Sequence, residues 1–167
     1  MTARQMSGAA PAKRTVTLTR SFAAPGELVF QAWTDPALMA QWWGPKGFTN
    51  PVCELDVRPG GALRIDMTGP DGTVYPMTGT FQEIVKSERL VFITGTFPDA
   101  KGSPRLVGRT IVVFADEDGE TTLTVQSTAT SVPEVAQALD GMEAGWTGSL
   151  ERLAELLGRL GQGQPGA

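Results

Sequence analysis

Between Ser131 and Leu160 the apolar residues recur in steps of three and four: Val132, Val135, Leu139, Met142, Trp146, Leu150, Leu153, Leu157 and Leu160. At about 3.6 residues per turn, those steps return each side chain to one face of an α-helix. A stripe this heavy must be buried against another layer, so it constrains the fold more than any other stretch. Ser131-x-x-Glu134 reads as a capping box, with Pro133 tolerated in the first turn. Unbroken, the helix would be ~43 Å long at ~1.5 Å per residue. Asp140-x-x-Glu143 offers a second capping box, and with it the alternative of a short helix ending near Leu139 and a longer one after it. Gly141, Gly145 and Gly148 lie beside the stripe, and each interior glycine costs ~1 kcal/mol relative to alanine. Small residues in that position point to close backbone approach or to space kept for something else.

The rest of the chain supplies the second layer. Thr15 to Phe22 alternates and is rich in β-branched residues, which predicts a first strand. Pro25 suits the first turn of a helix to about Thr34, burying Leu28, Val29, Ala32 and Trp33. Asp35 caps a second short helix that starts at Pro36 and ends near Trp42, before Gly44-Pro45. Strands follow at Val52–Val57, Ala62–Thr68, Val74–Val85, Arg89–Phe97, Arg109–Ala115 and Thr121–Ala129, the last two as a hairpin around residues 116–120. Leu123, Val125, Ser127 and Ala129 point one way and Thr122, Thr124, Gln126 and Thr128 the other, the mark of a sheet with one buried and one wet face. Residues 15–160 are expected to form one domain, with residues 1–14 a disordered arm and 161–167 a flexible tail.

What the chain lacks narrows its chemistry. It contains no histidine, which removes Ser-His and Cys-His nucleophile systems and histidine-based metal sites. No loop clusters carboxylates as a calcium or magnesium site would, so no metal and no cofactor is expected. The single cysteine, Cys53, excludes an internal disulfide and fits a reducing compartment, which leads to the expectation of a cytoplasmic protein. No window has the ~18 apolar residues of a membrane span, so membrane insertion is not expected. Arg4, Lys13, Arg14 and Arg20 precede every acid, and the remaining residues carry 10 basic and 18 acidic groups, a net of −8. So acidic a body repels phosphate backbones and argues against nucleic acid as a partner.

Several motifs together resemble one family. They are Ala24-Pro25 with Val29-Phe30, Trp33-Thr34-Asp35-Pro36, Trp42-Trp43-Gly44-Pro45-x-Gly47-Phe48, Asp56-x-Arg58-Pro59-Gly60-Gly61, Arg89-Leu90-Val91-Phe92 and Gly145-Trp146-x-x-x-Leu150-x-x-Leu153. Over about Thr15 to Leu160 the chain resembles the heat-shock-protein-90 ATPase activator homologue-like branch of the SRPBCC (START-like, polyketide-cyclase-like) superfamily. The resemblance implies an α+β helix-grip fold: a curved antiparallel sheet wrapped around a long C-terminal helix, two short helices after the first strand, and an apolar cavity between sheet and helix. It implies binding of a hydrophobic small molecule that is lipid-, polyketide- or aromatic-like. The alternatives are a cyclase- or hydrolase-type enzyme and a chaperone ATPase-activating partner, although the name-giving activators work with an additional N-terminal domain. Such a resemblance fixes a fold better than a ligand.

Within that framework Trp42, Trp43, Phe48, Met67, Tyr75, Met77, Phe81, Phe92, Met142 and Trp146 are the expected cavity residues. Trp42 and Trp43 point about 100° apart on a helix, so one is expected to anchor the short helices and the other to stand at the cavity mouth. Trp146, on the main stripe, serves either as a core plug or as a cavity wall. For chemistry the inventory leans against catalysis, and Glu83 and Tyr75 are its only candidates. Glu83 falls in register with Met77 and Phe81, and a general base there requires burial; a bulge before Ile84 would turn it outward. The Tyr75 hydroxyl could orient a carbonyl or phenol. Asp56, Arg58, Arg64 and Asp66 read as a solvated cross-strand charge ladder, and Cys53 as an inert thiol facing with Leu55. The oligomeric state is open, with a homodimer among the options.

Overall fold

The computed structural model describes residues 11–162. Seven strands and three α-helices are joined by short turns: β1 Ala12–Phe22, α1 Gly26–Thr34, α2 Pro36–Met39, β2 Thr49–Leu55, β3 Ala62–Thr68, β4 Val74–Val85, β5 Arg89–Pro98, β6 Pro104–Glu117, β7 Glu120–Ser131 and α3 Met142–Gln162, with a 3₁₀ stretch Pro133–Gly141 before α3. The strands form one antiparallel sheet in the order β1-β7-β6-β5-β4-β3-β2, so β1 is carried across to pair with the last strand. The open sheet curves around α3, the helix-grip arrangement.

Local chemistry explains most boundaries. The Asp35 carboxylate accepts the Ala37 N–H at 2.9 Å and starts α2, with Pro36 in its first turn. Asp118 and Gly119 both adopt positive φ in the β6–β7 hairpin, the primed turn that matches strand twist. β1 begins at Ala12, three residues before the expected start, because β7 extends to Ser131 and supplies partners for Ala12, Lys13 and Arg14. Residues 1–10 of the expected arm and 163–167 of the expected tail lie outside the described residues. β2 ends at Leu55, because Asp56 and Arg58 enter the turn that closes on Gly61.

The long stripe is broken where Asp140-Gly141 stands. The first segment is a 3₁₀ stretch kinked at Val135 (φ −121°), and only from Met142 does a regular α-helix run for 21 residues. The capping box expected at Ser131 does not form: Ser131 is the last residue of β7, and its buried Oγ has no partner among the described residues. Arg14 holds the junction from β1, donating to the carbonyls of Leu139 at 2.8 Å and Asp140 at 3.2 Å. A guanidinium on those last carbonyls opposes the negative end of the stretch.

The core lies at one end of the grip. Leu150, Leu153, Leu156 and Leu157 of α3 pack with Val29, Ala32 and Trp33 of α1 and with Leu90, Val112, Phe114, Leu123 and Val125 of the sheet. Leu153, Leu123, Val125, Val112 and Trp33 have no exposed surface. At the other end the same helix and the same strands do not close.

Candidate functional site: a cavity between sheet and helix

The inward face of the sheet changes size along its strands. β5 presents Leu90 and Phe92, then Thr94 and Thr96. β6, read from its far end, presents Phe114 and Val112, then Thr110 and Gly108. β7 presents Leu123 and Val125, then Ser127 and Ala129. The register aligns these steps, since Phe114 lies opposite Leu123 and Val112 opposite Val125, while Thr110 lies opposite Ser127 and Gly108 opposite Ala129. A row of large side chains therefore gives way to a row of small ones across three neighbouring strands. Helix α3 changes in step: its C-terminal half carries leucines, and its N-terminal half carries Gly145, Gly148 and Ser149.

Small residues facing small residues leave a cavity of about 260 Å³, open to solvent. Met142, Gly145, Trp146 and Ser149 form the helix wall, and Trp43, Gly44 and Pro45 the loop wall. Met67, Met77 and Phe92 line the sheet side, with the threonines, Ser127, Gly108 and Ala129 as its floor and Leu106 near the rim. The two indoles of Trp43 and Trp146 stand at 83° with centroids 5.5 Å apart and make an aromatic corner. Trp146 also stacks on the fully buried Trp33 at 6.1 Å, which ties the cavity wall to the core.

Among the described residues the lining polar side-chain groups are hydroxyls, apart from the indole N–H groups of Trp43 and Trp146. Thr110 and Ser127 bond each other at 2.9 Å, and Ser149 Oγ accepts the Gly44 N–H at 3.0 Å. Among the described residues no charged side chain lines the cavity. The glycines of the stripe divide by role. A Cβ on Gly148 would sit 3.6 Å from Pro45 Cα, the distance at which helix and loop touch, whereas a Cβ on Gly145 would meet nothing within 4 Å.

The loop wall is fastened to α3 by one side chain. Arg152 Nη1 donates to the carbonyls of Trp43 (2.9 Å), Gly44 (2.9 Å) and Pro45 (3.0 Å), and Nη2 to that of Gln41 (3.1 Å). Partial burial among these carbonyls lowers the Arg152 pKa from its ordinary value, with Glu155 opposing the shift. Lys46 and Glu151 add an exposed pair at 3.2 Å. Gly44 takes φ +92°, and a Cβ there would lie 2.8 Å from Met67 Sδ, so the turn requires glycine.

Of the expected cavity residues, Trp43, Met67, Met77, Phe92, Met142 and Trp146 line it, and four do not. Trp42 is wholly buried, donating its Nε1–H to the Ala32 carbonyl at 2.9 Å, and so anchors the short helices. Phe81 packs below the cavity against Phe92, 2% exposed, beside a void of about 10 Å³. Phe48 and Tyr75 form a separate cluster with Phe97, at 6.0 and 6.3 Å from the Tyr75 ring, so the phenol does not line the cavity. Glu83 is turned outward by a register shift between Phe81 and Glu83 and pairs with Arg89 at 2.9 Å. The bulge wins because an inward carboxylate beside Phe81 would lose its hydration without a partner. The expected cross-strand charge ladder does not form: Arg58 pairs with Asp56 at 2.9 Å within the turn between β2 and β3, and Arg64 pairs with Asp66 at 3.0 Å along β3. Cys53 is half-buried, and burial, with Asp35 and Glu54 adding to it, raises its pKa to about 11.

A second concavity, about 330 Å³, lies on the outer sheet face between Lys13, Arg109, Ile93, Val107 and Ile111. It is a groove between side chains of one sheet surface, with no second layer over it among the described residues. Among the described residues no helix is long and apolar enough to cross a membrane, and no cluster of His, Cys, Asp and Glu could hold a metal ion.

With sheet, helix and cavity in place, comparison with known proteins fixes the family. The description "Activator of Hsp90 ATPase homolog 1-like protein" matches residues 23–158. The chain belongs to that family. No curated protein matches the chain. Among solved structures, this family member is similar to a Mycobacterium smegmatis protein at 31% identity and TM-score 0.72, covering 86% of this chain and 90% of that one. An uncharacterized Rhizobium leguminosarum protein shares the fold at TM-score 0.78 and 24% identity, over 90% of this chain and 97% of its own. A Silicibacter pomeroyi protein designated AHSA1 shares it at TM-score 0.71 and 24% identity, over 87% and 98%.

Proposed function

We propose that this protein binds an apolar small molecule in the cavity between its sheet and its C-terminal helix. The observation that carries the reading is the matched change from large to small residues on three strands and on α3. It leaves about 260 Å³ unfilled, in a protein whose other end is closely packed. An apolar-lined concavity with a few convergent polar groups is the usual form of a small-molecule site. The helix also carries a glycine at Gly145 that no neighbouring atom requires. A bicyclic aromatic ligand buries about as much surface as a tryptophan side chain, ~250 Å². At ~25 cal/mol per Å² that burial supplies ~6 kcal/mol before association costs, a ceiling near tens of micromolar.

The catalytic alternative draws no support from its two candidates, since Glu83 pairs with Arg89 at the surface and Tyr75 stands outside the lining. The chaperone alternative rests on the family name. The test is a thermal-shift and native mass-spectrometry screen with fatty acids, flavonoids and small polyketides, repeated on Gly145→Leu. Binding predicts a dose-dependent rise in Tm and a 1:1 adduct, both lost in Gly145→Leu. Adducts unaffected by Gly145→Leu, or no response to any class, would overturn the reading.

A further inference from the structure

The walls of the cavity also say which apolar molecule it takes, an inference that rests on the binding reading above. We infer that the ligand is a two-ring-sized aromatic molecule bearing a carbonyl or phenolic oxygen and no negative charge, and that carboxylates are rejected. Three features of the lining lead there.

The first is charge. Among the described residues no Lys, Arg, Asp or Glu lines the cavity, and Arg152, which clasps the loop wall, has its guanidinium committed to four loop carbonyls. An anion entering would shed water with no counter-ion, and the negative faces of Trp43 and Trp146 would add to the penalty. The second is size and shape. A dry cavity of ~150 Å³ holds one benzene; 260 Å³ holds a fused pair of rings. The corner made by Trp43 and Trp146, at 83°, lets a flat ring stack on one indole while presenting its edge to the other.

The third is the supply of donors. Ser149 Oγ accepts from Gly44 and makes no other bond among the described residues, so its own proton is free to donate. Thr110 and Ser127 hold two protons and use one between them. The hydroxyls of Thr94 and Thr96 stand on the same wall. Hydroxyls can both give and accept, so they match a neutral ketone, lactone or phenol oxygen, which keeps its hydrogen bond on leaving water.

The test uses a matched set: 2-acetylnaphthalene, 2-naphthoate and naphthalene, plus 2-naphthyltrimethylammonium, titrated against the protein's tryptophan fluorescence, to which the cavity indoles of Trp43 and Trp146 contribute. The ketone and the carboxylate differ only in a methyl against an oxygen anion. The ketone is expected to bind at least tenfold more tightly than 2-naphthoate. Replacing both Thr94 and Thr96 by valine keeps volume and strand propensity while removing two hydroxyls. It is expected to weaken the ketone threefold or more and to leave naphthalene unchanged. Thr96→Lys is expected to raise 2-naphthoate affinity, showing that charge, not shape, excluded it. If the carboxylate or the ammonium binds as tightly as the ketone, or the valine variant weakens naphthalene equally, this inference falls while the cavity remains a binding site. If none of the probes perturbs the indoles of a folded protein, the binding reading falls with it.

Discussion

Arg152 gives the sharpest test of how the cavity is held open. Arg152→Met keeps the length of the stem and removes every donor. In the structure Nη1 serves three carbonyls at 2.9–3.0 Å and Nη2 a fourth at 3.1 Å. Nη1 carries only two protons, so three acceptors share them and the arrangement counts as about three full bonds. Hydrogen bonds to a charged group contribute ~1.5–3 kcal/mol each, but the site is half-exposed and water can replace part of the loss. The expected destabilisation is therefore ~2–3 kcal/mol, or a fall of ~5–10 °C in Tm for a domain this size. Urea unfolding followed by far-UV circular dichroism measures it, and Arg152→Lys, without the planar fork, should recover less than half. The partners are carbonyl dipoles rather than a carboxylate, so the gap should persist in ~1 M salt. Burial lowers the Arg152 pKa from a value so high that the group stays charged from about pH 5 to 9, and the gap should be flat there. A Tm change under about 1 °C, or one abolished by salt, would refute the clasp.

The remaining expectations follow from single residues. Gly145→Ala should stabilise the protein by up to ~1 kcal/mol in urea melts, because its Cβ meets nothing within 4 Å; destabilisation would mean that the space is not free. Leu153→Ala, wholly buried in the core half of α3, should cost ~2–5 kcal/mol by the same assay. Glu83→Gln should change stability by less than ~1 kcal/mol and leave probe affinity unaltered, since it breaks only an exposed pair with Arg89. Cys53 should resist thiol reagents at pH 8 and label fast only as the pH nears 11. Its raised pKa means that the folded state holds the proton more tightly. The associated stability is present below the unfolded value near 9 and is lost as the pH rises through about 11, which a pH series of melts on wild type and Cys53→Ala would show.

Much of the architecture was legible from local chemistry. The period of the stripe from Met142 onward, the Asp35-Pro36 cap and the alternation of β3 and β4 are short-range signals and stand where they were expected, although α2 ends at Met39 rather than near Trp42. The break at Asp140-Gly141 was legible as one of two options, because a second capping box competes with helix continuation on nearly equal terms. The choice between them fell to tertiary contact: Arg14, more than a hundred residues away in sequence, binds the carbonyls at the break.

The cavity shows where sequence alone stops. Which residues face inward on each strand follows from alternation, and Ser127 and Ala129 already shared a face with Leu123 and Val125. That the small positions of β5, β6 and β7 fall side by side depends on register, which only strand pairing decides. The same holds for Glu83, whose direction turned on one bulge, and for Tyr75, drawn to Phe48 and Phe97 by neighbours from three separate segments. Periodicity determined the elements and their buried faces, because backbone geometry is local. The empty space between them was decided by tertiary structure, because a cavity is defined by side chains from distant segments that fail to meet.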